Sequence, residues 1–226
     1  MSAATVEVVC FDTVPRSTPI EELLRIPRKP AIIGSVALED RAAFSSAFVP
    51  TSNEEFKQCF FSSGFVVGKG RELLPTSGRK SLYIDEEPPE FLAKIILAQA
   101  HDFSLRCALP EESRIQTLTE VRSWAANSPY TARESVHFDG GKNIYSVSDS
   151  NTVFYTDCFE ITEEQFASDS EAMKVLAPQI SNERSVQPEP YDNIYFDDTL
   201  PHASPDRRNN EPRTWSRTNI SVRNQS

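Results

Sequence analysis

Two short stretches hold the residues whose types and spacing could do chemistry. Glu134-Ser135-Val136-His137-Phe138-Asp139-Gly140-Gly141 contains a His-x-Asp pair. Leu200-Pro201-His202-Ala203-Ser204 contains a second histidine, 65 positions further on, and is followed by Arg213 and Arg217. Two imidazoles and one carboxylate make a facial ligand set for a transition metal and leave the other coordination positions open to small molecules. Alternation along an extended strand puts His137 and Asp139 on one face, so both can reach one ion. An arginine beyond the second histidine suits the far end of a dicarboxylate, because its planar fork of donors matches two carboxylate oxygens. A His-x-Asp tripeptide alone arises readily by chance. Its weight comes from the scarcity of histidine, three in 226 residues, and from the apolar run Ile194-Tyr195-Phe196 just before His202. The competing reading is an ordinary surface set of histidine and aspartate side chains.

Such residues need strands to position them. After Pro129 the segments Thr131 to Phe138, Ile144 to Val147, Thr152 to Phe159, Asn193 to Phe196 and Thr214 to Val222 are short, β-branched and aromatic, with turn residues between them. One helix, Glu163 to Leu176, interrupts them behind a capping Thr162, and Ser181 to Tyr191 reads as a polar loop. Before Pro129 the pattern predicts helices at Asn53 to Ser62, closed by Gly64, and at Pro88 to Phe103. A third is predicted at Pro110 to Ala125, where Ile115, Leu118, Val121 and Trp124 form one stripe. The last two should cover one face of a sheet, and His101 near the end of the first suits a helix C-terminus. Thr18 reads as a cap with Pro19 at the first helical position. Thr5 to Phe11, Ile32 to Val36 and Phe65-Val66-Val67 suggest short strands. Gly68 to Arg79 reads as an exposed loop whose charges (Lys69, Arg71, Arg79, Lys80) are a solvated face or a flap over a pocket. The expectation is an α+β chain on a β-sandwich or small barrel. It is one domain, with a helix-rich part at 1–128 and a strand-rich part carrying the site at 129–226.

Composition removes several classes of function. With 23 Lys+Arg against 33 Asp+Glu and a net charge of −10, there is no basic footprint for a phosphate backbone, so nucleic acid is not an expected partner. The four cysteines are far apart without Cys-x-x-Cys, which argues against a zinc site or a disulfide framework and for free thiols. No apolar stretch reaches the length of a membrane span and no signal-peptide pattern is visible, so the expected compartment is the cytoplasm.

His137-Phe138-Asp139, then Phe196-Asp197-Asp198-Thr199-Leu200-Pro201-His202-Ala203-Ser204, then Arg-x-x-Ile-Ser at Arg217 to Ser221, resemble the Fe(II)- and 2-oxoglutarate-dependent dioxygenases over roughly Arg133 to Val222. The resemblance implies a double-stranded β-helix (jelly-roll, cupin-like) core with supporting N-terminal helices. It implies Fe(II) held by His137, Asp139 and His202, with 2-oxoglutarate as cosubstrate and O₂ as oxidant. The remote carboxylate of 2-oxoglutarate then falls to Arg217 or Arg213, 15 and 11 positions after His202. Arg217 ranks first because it opens the better strand pattern, Arg-Thr-Asn-Ile-Ser-Val. Related halogenases lack the carboxylate, so Asp139 disfavours halogenation. The nucleic-acid dealkylating branch carries paired arginines farther from the second histidine than Arg207 and Arg213 lie, and Arg207 with Arg208 reads as solvated loop charge. Strand parity adds Arg133 and Ser135 to the face of His137, and Trp215, Asn219 and Ser221 to that of Arg217. For Arg133 an ordinary exposed charge and for Trp215 plain core packing are the competing roles. A polar lining of this kind fits a small-molecule substrate, a free amino acid or amino-acid derivative, to be hydroxylated. The alternatives are a hydroxylase of protein side chains and a non-catalytic β-barrel binding module. Oligomeric state, and hydroxylation as against desaturation or cyclisation, stay open.

Overall fold

Arg114 to Trp124 carries Ile115, Thr117, Thr119, Val121 and Ser123 at every second position, and all five are buried, whereas Leu118 between them is 46% exposed. A period of two with β-branched residues on the buried face makes a strand, not the predicted helix. Ile115, Leu118, Val121 and Trp124 recur at every third residue, close enough to the helical period to look like one stripe. The predicted helix at Asn53 to Ser62 is also a strand from Phe56 onward, with Asn53 and Glu55 outside the described residues. Phe56 to Val67 pairs with Arg114 to Trp124 through an unbroken antiparallel register, placing Phe61 and Phe65 in the core. The aromatic and β-branched content of this stretch outweighs the helical reading.

The computed structural model describes residues 7–15, 17–51, 54, 56–76, 87–125, 136–148, 152–181, 183–204 and 212–223. In chain order the elements begin with β1 (Val9–Cys10), α1 (Ile20–Leu23), β2 (Arg28–Lys29), β3 (Ala31–Ser35) and α2 (Arg41–Ser46). Then come β4 (Phe56–Val67), β5 (Leu73–Thr76), α3 (Glu90–Arg106), β6 (Arg114–Trp124), β7 (Asn143–Val147) and β8 (Val153–Tyr155). The chain continues through α4 (Glu163–Phe166), α5 (Asp169–Leu176), β9 (Ser185–Val186), β10 (Asp192–Phe196), β11 (His202–Ala203) and β12 (Arg213–Arg223).

A seven-stranded antiparallel sheet in the order β3-β10-β7-β12-β6-β4-β5 is accompanied by a three-stranded one, β11-β8-β9. The chain passes back and forth between them: β6 and β7 in the large sheet, β8 and β9 in the small, β10 large, β11 small, β12 large. This mixed α/β arrangement with antiparallel sheets fits a β-sandwich or cupin-like fold. The part described as helix-rich in sequence therefore supplies β3 to β6. Of the two helices expected over the sheet only α3 exists. It presses Leu92, Ile96 and Phe103, all fully buried, onto one face. Gln99, in the same row, donates to Ser146 and Asn193 and accepts from Thr218 at 2.6 Å, so the polar groups under the helix are satisfied.

Smaller differences have local causes. α1 starts after Pro19, which is itself the cap residue, and Thr18 makes no cap bond. The helix at 163–176 divides into α4 and α5, with the Thr162–Gln165 capping box present at its start. α3 runs on to Arg106, so Arg106 and not His101 occupies its last turn. The 68–79 loop is a tight turn at 68–72 leading into β5, with residues 77–79 outside the described set. The four cysteines are free; Cys158 is exposed and the others are half-buried. No helix among the described residues is long and apolar enough to cross a membrane.

Candidate metal centre

The two histidines meet by β pairing. His137 and His202 are direct antiparallel partners, each backbone N–H donating to the other's carbonyl at 2.9 and 3.0 Å. Directly opposed residues project their side chains to the same side of a ladder, and the two imidazole centroids lie 4.5 Å apart. Asp139, two residues on, returns to that side. Phe138 between them turns the other way and packs edge-on to Phe166 in a separate apolar cluster. The chain then reverses at Gly140-Gly141. Gly141 has φ +81°, a conformation that glycine adopts without penalty, and a Cβ there would meet the Asn219 amide at 3.0 Å. Asn143 donates to both glycine carbonyls and so fixes the turn behind Asp139.

The ligand atoms of His137, Asp139 and His202 all lie within 4.8 Å of one another, the one such group of three among the described residues. Asp139 Oδ2 is 3.4 Å from His202 Nε2, and Oδ1 is 4.0 Å from His137 Nε2. Neighbouring ligands of an ion held at about 2.1 Å stand roughly 3 Å apart, so contractions of about half an ångström to about two ångströms close the set. The donor chemistry fits as well. His202 is 1% exposed, and its Nδ1 lies 3.0 Å from the Leu200 carbonyl. A carbonyl only accepts, so Nδ1 carries the proton and Nε2 presents a lone pair to the cluster. That Nε2 is buried and has no hydrogen-bond partner, a costly state for a polar atom unless something is bound there. Burial would raise the Asp139 carboxyl, but the charged and polar groups around it, the Arg217 guanidinium at 3.4 Å among them, outweigh it and hold it at about 2, so it is an anion at neutral pH.

The Leu200 carbonyl is itself held in place. Arg28 of β2 is buried and donates to Thr199 Oγ1 at 2.7 Å and to the Thr199 carbonyl at 2.8 Å, while Thr199 caps onto Asp197. Burial lowers the Arg28 guanidinium to about 10, against the opposing pull of Asp197, and it stays cationic at neutral pH. Arg28→Met is expected to lower stability by about 2–3 kcal/mol, the loss of two charged hydrogen bonds at a buried turn. Urea unfolding should show this as a lower midpoint at unchanged slope.

β12 supplies the arginines. Arg213, Trp215, Arg217 and Asn219 share one face of the strand, while Ser216 and Thr218 point to the α3 side. Arg217 reaches Asp139 Oδ1 at 3.4 Å and Glu120 Oε2 at 3.0 Å. Arg213 is wholly buried, with its guanidinium 5.8 Å from the Trp124 ring. Since β12 begins at Arg213, the ground for ranking Arg217 first disappears. Trp215 packs edge-on to Tyr145 at 5.0 Å and lies under both Arg122 and Arg217. Asn219 braces the glycine turn through Asn143, and Ser221 is exposed. Arg133 and Ser135, with Arg207 and Arg208, lie outside the described residues. The sequence reading missed Glu120, hidden in a stretch taken for helix, and the aromatic wall of Tyr145, Phe154 and Phe196 around His202.

A protein with two antiparallel sheets beside a small parallel pair, β1 with β2, and a His-Asp-His cluster capable of holding a metal is the class that fold and site define. The chain matches no family model and no curated protein. Among solved structures it is similar to IDO from Bacillus thuringiensis, with 9% identity over 82% of this chain and 81% of that one and a TM-score of 0.45. It is also similar to a bsmA homolog (Mpe_A2762) from Methylobium petroleophilum PM1, with 10% identity over 80% of each chain and a TM-score of 0.42.

Proposed function

We propose that this chain is an Fe(II)- and 2-oxoglutarate-dependent oxygenase that hydroxylates a small polar metabolite, a free amino acid or an amino-acid derivative. The observation that carries the proposal is the buried His202 Nε2, unpartnered and aimed with His137 at the Asp139 carboxylate. The strand order supports a double-stranded β-helix: β6-β12-β7-β10 lie side by side in the large sheet, and the His137 bridge with β11-β8-β9 forms the small one. Fe(II) in this ligand set supplies the redox chemistry that couples oxidative decarboxylation of 2-oxoglutarate by O₂, giving succinate and CO₂, to oxidation of a C–H bond.

The chain's own residues do the remainder. Asp139 stays ionised, and the Leu200 carbonyl fixes the His202 tautomer. Tyr145, Phe154 and Phe196 keep water from the inner side of His202. Arg213, buried and four residues before Arg217 on β12, takes the remote carboxylate in fork geometry. The expected result is succinate release from 2-oxoglutarate in air with Fe(II), stimulated by one member of a panel of amino acids and related metabolites. Anaerobic Fe(II) and 2-oxoglutarate should also give a weak visible charge-transfer band. A folded sample with neither signal would instead be a non-catalytic binding module.

One observation favours a second reading. Phe56, Phe60 and Leu118 are exposed on the same side of the sheet as Glu120 and Arg217, Phe60 standing directly opposite Glu120. An apolar apron beside the centre suits the body of a polypeptide, and turnover of peptides in place of free metabolites would identify a protein side-chain hydroxylase.

A further inference from the structure

Glu120 is a buried carboxylate on the central strand β6, with its side chain 5% exposed, directly opposite Arg217 in the β6–β12 register. Four donor nitrogens from three side chains surround it. Arg122 Nε and Nη2 reach Oε1 at 2.6 and 2.5 Å, Gln58 Nε2 donates to the same oxygen, and Arg217 Nη2 donates to Oε2 at 3.0 Å. The other terminal nitrogen of Arg217 lies 3.4 Å from Asp139 Oδ1. One guanidinium is thus divided between two carboxylates. One of them is a ligand of the candidate metal centre, and the shorter contact goes to the other.

We propose that Glu120 is a positioning residue whose task is to hold Arg217 back from Asp139, so that the Asp139 carboxylate is available to a metal ion. Asp139 is the single anion of the ligand set, and a cation that occupied both its oxygens would compete directly with the ion. A guanidinium and a carboxylate join most strongly as two parallel hydrogen bonds. Glu120 engages one edge of the Arg217 fork and so prevents that arrangement. It also neutralises the arginine charge a few ångströms from where a divalent cation would sit, in surroundings where charges are weakly screened. Arg122 and Gln58 hold Glu120 in place while it does this. Trp215, beneath both guanidiniums, limits the directions in which Arg217 can swing. In Glu120→Gln, Arg217 loses its charged partner on β6 and closes on Asp139 with both terminal nitrogens.

This inference rests on the metal-centre reading but not on any particular reaction, and its test reads metal binding alone. Co(II) is titrated into the purified full chain and followed by its visible d–d bands and by calorimetry. Glu120→Gln, nearly isosteric, should weaken Co(II) binding by at least about tenfold, the scale on which partners of metal ligands act. Arg217→Gln alone should bind Co(II) at least as tightly as the unaltered protein. The double variant Glu120→Gln/Arg217→Gln should return to within about threefold of it. That recovery separates holding from packing, because a Glu120 that only supports the sheet would not be compensated by removing Arg217. Unchanged affinity in Glu120→Gln, no recovery in the double variant, or a tenfold loss in Arg217→Gln would each overturn the proposal. The last of these also decides the matter if Glu120→Gln does not fold. Failure of the unaltered protein to bind Co(II) or Fe(II) would instead overturn the metal centre itself.

Discussion

His202→Ala is expected to abolish Fe(II) binding and succinate formation and to lower stability by about 2–3 kcal/mol; His137→Ala should abolish the same two activities at a cost of about 1 kcal/mol or less. The contrast follows from where the two rings sit. His202 is buried among Tyr145, Phe154 and Phe196, and its Nδ1 is committed to the Leu200 carbonyl. Truncation there leaves a cavity and an unused carbonyl. His137 is partly exposed at the edge of the small sheet, and its backbone bridge to His202 survives loss of the side chain. Urea unfolding of both variants beside metal titration makes the comparison. The same geometry predicts that metal stabilises the unaltered protein, because it binds only the folded cluster and relieves the stranded Nε2. At a hundredfold excess over the dissociation constant the gain is about 2.7 kcal/mol. Retention of tight binding by either alanine variant would remove that histidine from the ligand set.

What the sequence disclosed of this centre depended on local geometry. His-x-Asp states its own parity: in extended chain the two side chains share a face and Phe138 takes the other, as found. Of the strands from Asn143 to Arg223, β7, β8, β10 and β12 were legible because they are β-branched or aromatic and bounded by turn residues, whereas the two-residue β9 falls in the stretch read as a polar loop and β11 carried no strand pattern. β4 and β6 were misread because long strands in the middle of a sheet need not alternate apolar with polar. β6 buries threonine and serine against α3, where Gln99 and paired hydroxyls satisfy them, and leaves Leu118 exposed. A pattern based on apolar residues alone therefore fell on the helical stripe. That error concealed Glu120, whose partnership with Arg217 exists only through the β6–β12 register. Arg28 was invisible for a related reason: its contact with Thr199 spans 171 positions and has no local signature. The pairing of His137 with His202 is equally long-range, yet it could be anticipated because metal chemistry constrains which residue types must converge.

Arg213→Lys is expected to raise the 2-oxoglutarate requirement about 10- to 100-fold, whereas Arg217→Lys should raise it less than tenfold. Both arginines lie on the same face of β12, so distance from the metal ligands discriminates between them. Arg217 touches Asp139 and is engaged by Glu120. A carboxylate held there would lie against the ion, where the oxo end of the cosubstrate belongs. Arg213 is four residues back along the strand, roughly 13 Å by the rise of extended chain, and its long side chain can span part of that distance toward the centre. A five-carbon diacid with its oxo end at the ligand cluster can therefore direct its far carboxylate to Arg213. Burial of Arg213 strengthens such a pair, since a guanidinium and a carboxylate attract far more in a low dielectric than in water. Lysine keeps the charge but replaces two parallel hydrogen bonds by one, a loss of about 1.5–3 kcal/mol, which is the fold-change stated. Because the lost contact is to the cosubstrate and not to the reacting carbon, turnover at saturating 2-oxoglutarate should fall much less than affinity. Saturation curves for the two lysine variants at fixed Fe(II) provide the measurement, and the reverse order would transfer the carboxylate to Arg217 and place it on the metal's own side of the site.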